Sequence, residues 1–166
     1  MSSTFFYFAY GSNMSHKRLQ ARTPSARPIG RACLHDHRLV FDKPGKTDGS
    51  AKADCQKEDG CTVWGGLYTI DEAERTALDE AEGLGRGYAE GWVDVFLDDG
   101  STVSALIYLA TKKDLSLRPY IWYLKHVLVG TKDFSLPESY VAEIEAIDAV
   151  KDSDPEREKR ELSIYL

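Results

Sequence analysis

Hydrophobic and polar positions divide the chain into strand-like and helix-like stretches whose order already suggests an architecture. Phe5-Phe6-Tyr7-Phe8-Ala9-Tyr10 is an aromatic run of the kind that forms a buried strand. It breaks into Gly11-Ser12-Asn13-Met14, and a helical pattern follows from Ser15 to Arg22. Ile29 to Phe41 mixes β-formers with polar residues and predicts a long strand ending at Asp42-Lys43-Pro44-Gly45. A polar, glycine-containing stretch then runs to Gly60, with a short strand near Ala51 to Cys55, and reads as a long functional loop. Cys61 to Ile70 predicts the next strand. Asp71 and Glu74 have the spacing of a capping box, opening a helix with Ala73, Ala77, Leu78 and Ala81 on one stripe and Gly83 as its stop.

Tyr88 to Leu97 and Thr102 to Ala110 predict two strands joined by Asp98-Asp99-Gly100, a hairpin signal. Pro119 to Val129 has helical periodicity through Ile121, Leu124, Val127 and Leu128. Leu136-Pro137-Glu138 opens a further helix, with Pro137 at its first position, running to about Ala149. The charge run from Lys151 to Glu161 reads as a solvated tail. The expectation is an α+β domain over residues 1–150, a curved sheet or small barrel with helices packed outside, followed by a charged tail over residues 151–166.

Composition narrows the function classes. At 166 residues and 42% hydrophobic the chain suits one packed domain. A net charge of −6 argues against a nucleic-acid footprint, and no apolar stretch is long enough to span a bilayer. The N-terminus lacks a basic secretory leader pattern, so a cytoplasmic protein is expected, its oligomeric state open with a homodimer included. Cys33, Cys55 and Cys61 form an odd set without a C-x-x-C pair; Cys55 and Cys61 are placed to face each other across a hairpin. His35 and His37 are two apart on a strand, hence on one face, but lack a third ligand at a suggestive spacing, so no metal is expected.

Two places carry candidate chemistry. The step from strand to helix at Tyr10 to Asn13 delivers backbone N–H groups to one point, an arrangement suited to an anion. The central helix is crowded with Asp71, Glu72, Glu74, Asp79, Glu80 and Glu82. Glu82 sits in the last turn before Gly83, where the helix dipole does not favour its charge, which suits a group that must take up and return a proton. Position alone leaves Asp79 and Glu80 as alternatives. Ser12 lacks the G-x-S-x-G setting of a hydrolase nucleophile.

The string Tyr7-Phe8-Ala9-Tyr10-Gly11-Ser12-Asn13 resembles the substrate loop of the γ-glutamylcyclotransferase family. Leu78-Asp79-Glu80-Ala81-Glu82-Gly83, with Tyr88 five residues further on, is similar to that family's second motif, whose final glutamate is catalytic. Val63-Trp64-Gly65 also resembles the strand before that helix, and Tyr108 and Tyr123 fall where the family places pocket tyrosines. The resemblance runs from Tyr7 to about Ala146. It implies Glu82 as the acid–base catalyst, with Tyr7, Phe8, Ala9, Tyr10, Gly11, Ser12, Asn13, Tyr88, Tyr108 and Tyr123 at the substrate. It implies a small γ-glutamyl amide that cyclises to 5-oxoproline and releases an amine, without metal or cofactor. The alternatives are a cyclotransferase for another γ-glutamyl amine, such as γ-glutamyl-lysine, or a binding module without turnover. Gly11-Ser12-Asn13 differs from the Gly-Ser-Leu form of the glutathione-specific branch. Acceptor specificity is expected in loops such as residues 42–60.

Overall fold

The computed structural model describes residues 2–166. Five strands close into a barrel in the order β1-β3-β2-β4-β5: β1 Thr4–Ala9, β2 Arg27–Pro44, β3 Ala51–Asp71, β4 Tyr88–Leu97 and β5 Thr102–Ala110. All neighbours but one pair antiparallel, β2–β3 and β4–β5 through short connections, and one parallel contact of β1 with β5, at Tyr7 and Leu106, closes the ring. The helices are α1 His16–Arg22, α2 Arg75–Glu82, α3 Ile121–Asp133, α4 Glu138–Glu145 and α5 Pro155–Leu162. Phe8, Leu67, Ile70, Leu106, Ile107 and Val127 are fully buried members of one core fed by β1, β3, β5 and α3. No described helix is long and apolar enough to cross a membrane.

The alternating strands, the β4–β5 hairpin and the barrel follow the sequence expectation. Four local expectations do not hold. The first is the long loop over residues 42–60. Strand pairing resumes at Ala51, with Pro44 opposite Ala51 and Phe41 opposite Ala53, so β2 and β3 form a long arm whose tip is only Gly45 to Ser50. The polar residues Gln56 and Lys57 are compatible with a strand because their side chains face solvent while they pair with Arg38 and His37. The ladder then breaks at a bulge in which residues 58–61 of β3 stand against Asp36 alone; Asp36 is at φ +59 and its carboxylate accepts the Gly60 amide at 3.0 Å. The bulge separates His35 from His37: His35 lies against Phe96, and the Nδ1 of His37 meets the His35 carbonyl at 2.9 Å. Cys55 lies opposite Leu39 rather than Cys61, and all three cysteines are free.

Second, the capping box at Asp71 and Glu74 does not form. The Asp71 amide donates to Ser25 Oγ at 3.0 Å, the bond the box would have made, while Glu74 accepts from the amide and hydroxyl of Ser25. The first turn is therefore a 3-10 turn, Glu72–Glu74, and α2 proper starts at Arg75. Third, Pro137 is the residue before α4 rather than inside it, and the helix ends at Glu145. The chain beyond α4 is drawn into a bridge with the segment before α3, where the Val150 amide meets the Pro119 carbonyl at 3.0 Å and the Ile121 amide meets the Val150 carbonyl at 2.9 Å.

Fourth, the stretch 151–166 is folded. Asp152 is buried, accepting from the Trp122 indole at 2.8 Å and from Arg157 through two bonds of 2.6 Å. Asp154 caps α5, whose Glu161 reaches Arg18 at 2.7 Å and His126 at 3.3 Å. The His126 hydrogen bond and the Arg18 guanidinium hold the Glu161 carboxyl down at about 2. A charge run becomes a docked helix because its charges meet buried partners that only the fold supplies.

One further pair ties the arm to the barrel. Asp42 and Asp54 are both buried; Asp54 accepts the Ala110 amide at 2.9 Å and lies 3.3 Å from the Lys113 ammonium. Burial, then the neighbouring Asp54 carboxylate, raises Asp42 from 3.8 to about 6. The folded state thus holds a proton that the unfolded chain releases, and stability falls as pH rises from about 4 to 6. Asp42→Asn should therefore be stabilising by about 1–3 kcal/mol at pH 8, with the gain vanishing below pH ~4. Thermal melts across that range check this; an equal effect at every pH would contradict it.

Candidate active site

The aromatic β1 strand ends at Ala9, and Gly11 redirects the chain into a buried 3-10 turn, Ser12–Met14, before Ser15 caps α1. The Gly11 backbone has φ −112°, so glycine is needed here for space rather than for a left-handed conformation. A Cβ on Gly11 would lie 2.9 Å from the Cβ of Ala53 and 3.5 Å from the Tyr123 hydroxyl. The turn is backed by α3, where Gly130 leaves room for Met14. Such a turn presents its leading amides, at Ser12 and Asn13, without intrahelical acceptors.

Helix α2 enters from the opposite side. Gly83, at φ +74°, ends it in the left-handed region, with the Leu84 amide bonded back to the Asp79 carbonyl at 2.9 Å. This stop leaves Glu82 at the mouth of a narrow slot of about 30 Å³ lined by Tyr7, Tyr10, Gly11, Ser12, Asn13, Ala53, Glu82, Tyr88, Tyr108 and Tyr123. Tyr7 donates to Glu82 Oε1 at 3.1 Å, and the Asn13 side-chain amide donates to the same oxygen and to the Tyr7 hydroxyl at 3.2 Å. The other carboxylate oxygen, Oε2, has no hydrogen bond among the described residues.

The neighbouring acids have other roles. Asp79 is held by Arg75 at 3.1 Å and accepts from Tyr108 at 2.5 Å, and Glu80 is exposed. Glu82 alone of the three reaches the slot. Tyr108 thus orders Asp79 rather than Glu82, and its own carbonyl receives the Tyr10 hydroxyl at 2.6 Å. Tyr88 and Tyr123 close on one peptide: the Tyr88 hydroxyl donates to the Ala53 carbonyl at 2.5 Å, and the Ala53 amide donates to Tyr123 at 2.9 Å. Burial raises the phenols of Tyr7, Tyr10, Tyr88 and Tyr123, so all remain neutral donors at physiological pH.

Of the residues singled out in the sequence, Phe8 and Ala9 are buried without lining the slot; they belong to the packing beneath it. Three residues without a sequence signal support it. Arg22 donates to Asn13 Oδ1 at 2.9 Å, fixing the Asn13 amide so that its NH₂ faces Glu82. Arg18 donates to Ser12 Oγ at 3.2 Å. Ala53 supplies a backbone clamp. Beyond Glu82, Tyr88 and Tyr123 the slot opens into a groove of about 250 Å³. A larger groove of about 570 Å³ lies between the arm and α4, but its carboxylate, Glu143, is exposed and far in the fold from this network. No group of three or more His, Cys, Asp or Glu among the described residues is arranged around a metal position.

Comparison with known proteins bears on the whole of this arrangement. A family model described as gamma-glutamyl cyclotransferase, AIG2-like, matches residues 7–125. Gamma-glutamylcyclotransferase of Homo sapiens is 33% identical over 150 residues, covering 87% of this chain and 79% of that protein. A solved structure of a gamma-glutamyl cyclotransferase superposes with a TM-score of 0.86 at 28% identity, covering 95% of this chain and 99% of the other. An uncharacterized Homo sapiens protein of known structure gives 0.84 at 30% identity, covering 91% and 92%.

The crowding at Gly11 is testable without reference to activity. Gly11→Val drives a branched side chain against Ala53 and the Tyr123 hydroxyl, and overpacking of this kind costs about 1–3 kcal/mol. Chemical denaturation should register that loss; an unshifted midpoint would mean that the arm yields freely at Ala53.

Proposed function

Because the chain belongs to the gamma-glutamyl cyclotransferase, AIG2-like family, we propose that its Glu82 slot is the place where a γ-glutamyl amide is cyclised. The protein is an enzyme of the gamma-glutamylcyclotransferase class. The observation that carries the residue-level reading is the division of labour on Glu82: Oε1 is fixed by Tyr7 and Asn13, while Oε2 is free towards the slot.

On this reading the glutamyl part curls in the slot with its carboxylate or developing oxyanion at the amides of the Gly11 to Asn13 turn. The substrate's own α-amine attacks its γ-carbonyl carbon. A C–N bond forms to close the five-membered ring, and the C–N bond to the departing amine breaks. Glu82 Oε2 takes a proton from the α-ammonium to free the attacking amine, a second N–H proton leaves the ring nitrogen as the ring closes, and the two protons end on the departing nitrogen, so the products are 5-oxoproline and the amine as its ammonium form with no water consumed. Holding the reacting atoms together supplies up to ~7–11 kcal/mol in favourable intramolecular cases, which is why the chemistry calls for no cofactor. Tyr88 and Tyr123, locked on Ala53, keep the slot walls fixed during ring closure.

Glu82→Gln keeps the shape and the Oε1 bonds but cannot accept a proton. Release of 5-oxoproline should drop by at least the ~10²–10⁴-fold that general acid–base catalysis contributes, with little change in melting temperature. Near-normal turnover in Glu82→Gln together with an inactive Glu80→Gln would overturn the assignment.

Ser12 separates cyclisation from a serine-nucleophile mechanism. Ser12→Ala retains every backbone donor and loses one hydroxyl contact with Arg18, so kcat/KM should stay within about tenfold, the order of one ~0.5–1.5 kcal/mol hydrogen bond. Trapping a glutamyl ester on Ser12 of the unmodified protein would contradict the mechanism.

A further inference from the structure

The groove outside the slot begins at Glu82, Tyr88 and Tyr123, and its charges are unevenly compensated. Three of its cations are neutralised within the fold: Arg18 by Glu161 at 2.7 Å, Lys52 by Asp48 at 3.1 Å and Arg157 by Asp152 at 2.6 Å. Lys43 is different. It is only 5% exposed, yet its ammonium has no hydrogen bond or ion pair among the described residues. Its stem passes Gly87, where a Cβ would lie 2.7 Å from the Lys43 Cε, and its ammonium rests 4.8 Å from the centre of the Tyr88 ring.

The ammonium keeps a solvent-accessible face towards the groove, and an aromatic ring is weak compensation for a cation whose stem is so largely enclosed. Burial lowers the Lys43 ammonium's affinity for its proton, Lys46 and Lys112 lower it further, and Glu82 and Asp48 act in the opposite direction. The groups facing it are thus two lysines and two carboxylates. Asp48 is committed to Lys52 and to the Ser50 hydroxyl at 2.7 Å, and Glu82 is held by Tyr7 and Asn13. A donor-rich, unpaired cation remains, opening into the groove beside the proton-transfer group.

We propose that Lys43 is a specificity residue for the leaving half of the substrate, its ammonium binding a carboxylate carried by the departing amine. The proposal rests on the cyclotransferase reading of the slot. Lys43 lines the outer groove and not the slot that takes the glutamyl half on this reading, and Glu82 is common to both. The enzyme then favours γ-glutamyl amides of amino acids and peptides over those of neutral amines. Amines bearing an extra positive charge meet Lys43 and Lys46 and are disfavoured. The arm that carries Lys43, β2, lies outside both motifs that hold the glutamyl half, so leaving-group selectivity and catalysis are built on separate segments.

The test compares γ-glutamyl-alanine with γ-glutamyl-alaninamide, which differ only in the carboxylate, by 5-oxoproline release from the full-length protein and its Lys43→Met and Lys43→Arg variants. The unmodified enzyme should prefer the acid by about 10- to 100-fold in kcat/KM, carried by KM, the range of one charge-assisted hydrogen bond. Lys43→Met should collapse that ratio towards one, and Lys43→Arg should retain most of it. A ratio near one in the unmodified enzyme overturns the proposal even if Lys43→Met does not fold. A folded Lys43→Met that keeps the preference overturns it as well. Cyclisation of both substrates without discrimination removes Lys43 alone, whereas no 5-oxoproline from either removes the cyclotransferase reading beneath it.

Discussion

Everything at the site depends on how the barrel closes. The ring is completed not by another antiparallel hairpin but by the single parallel contact of β1 with β5 at Tyr7 and Leu106. That seam sets Tyr7 beside Tyr108, with ring centres 5.9 Å apart and edge to face. It also brings the end of β1, and so the Gly11 turn, against the end of α2. If β1 were shifted along its partners by one residue, its whole inward set would exchange with its outward set. Tyr7 would leave Glu82, and Phe6, now 38% exposed, would be forced inward. The antiparallel ladder from Thr4 opposite Asp71 to Ala9 opposite Gly66 guards that register.

Around the seam the site is a set of polar groups held inside an apolar core, each satisfied by a partner distant in sequence. Asn13 is secured by Arg22 on one side and presents its amide to Glu82 on the other. The Ala53 peptide is gripped at both ends by tyrosines from β4 and α3. Buried polar groups are costly when one partner is missing and rigid when none is, so such a network holds a single arrangement. A reaction whose acceleration comes largely from holding a substrate folded on itself needs that rigidity more than it needs a strong nucleophile.

The outer helices extend the same logic. Helix α5 lies over α1 and α3 through Glu161, Arg18 and His126, and the Tyr165 hydroxyl bridges His126 Nδ1 at 2.6 Å and Ser15 Oγ at 2.9 Å. Since Arg18 also donates to Ser12, the C-terminal helix is linked by two hydrogen bonds to the turn that forms the slot. Arg18, Lys52 and Arg157 are compensated by their own carboxylates and Arg22 is taken up by Asn13, while Lys43 in the same groove has no such partner among the described residues.

The sequence by itself determined the elements with strong local signals. The β4–β5 hairpin was legible because Asp98-Asp99-Gly100 favours a tight turn between two alternating runs, and the end of α2 because Gly83 accepts a left-handed backbone. The two motifs pointed to Glu82 and the glycine turn for the same reason: each is a short contiguous string. Where a partner came from elsewhere in the chain, local reasoning failed. Ser25 took the bond that Glu74 was expected to make, the polar stretch before Cys61 paired with β2, and the charged tail docked through Asp152 and Glu161. The preference for Glu82 over Asp79 rested on motif likeness in the sequence; in the fold Arg75 and Tyr108 occupy Asp79, while Glu82 lines the slot. Arg22, Ala53 and Lys43 carried no signal at all, because a helix arginine, a strand alanine and a lysine near a turn acquire meaning only when the fold sets them at the slot or the groove outside it.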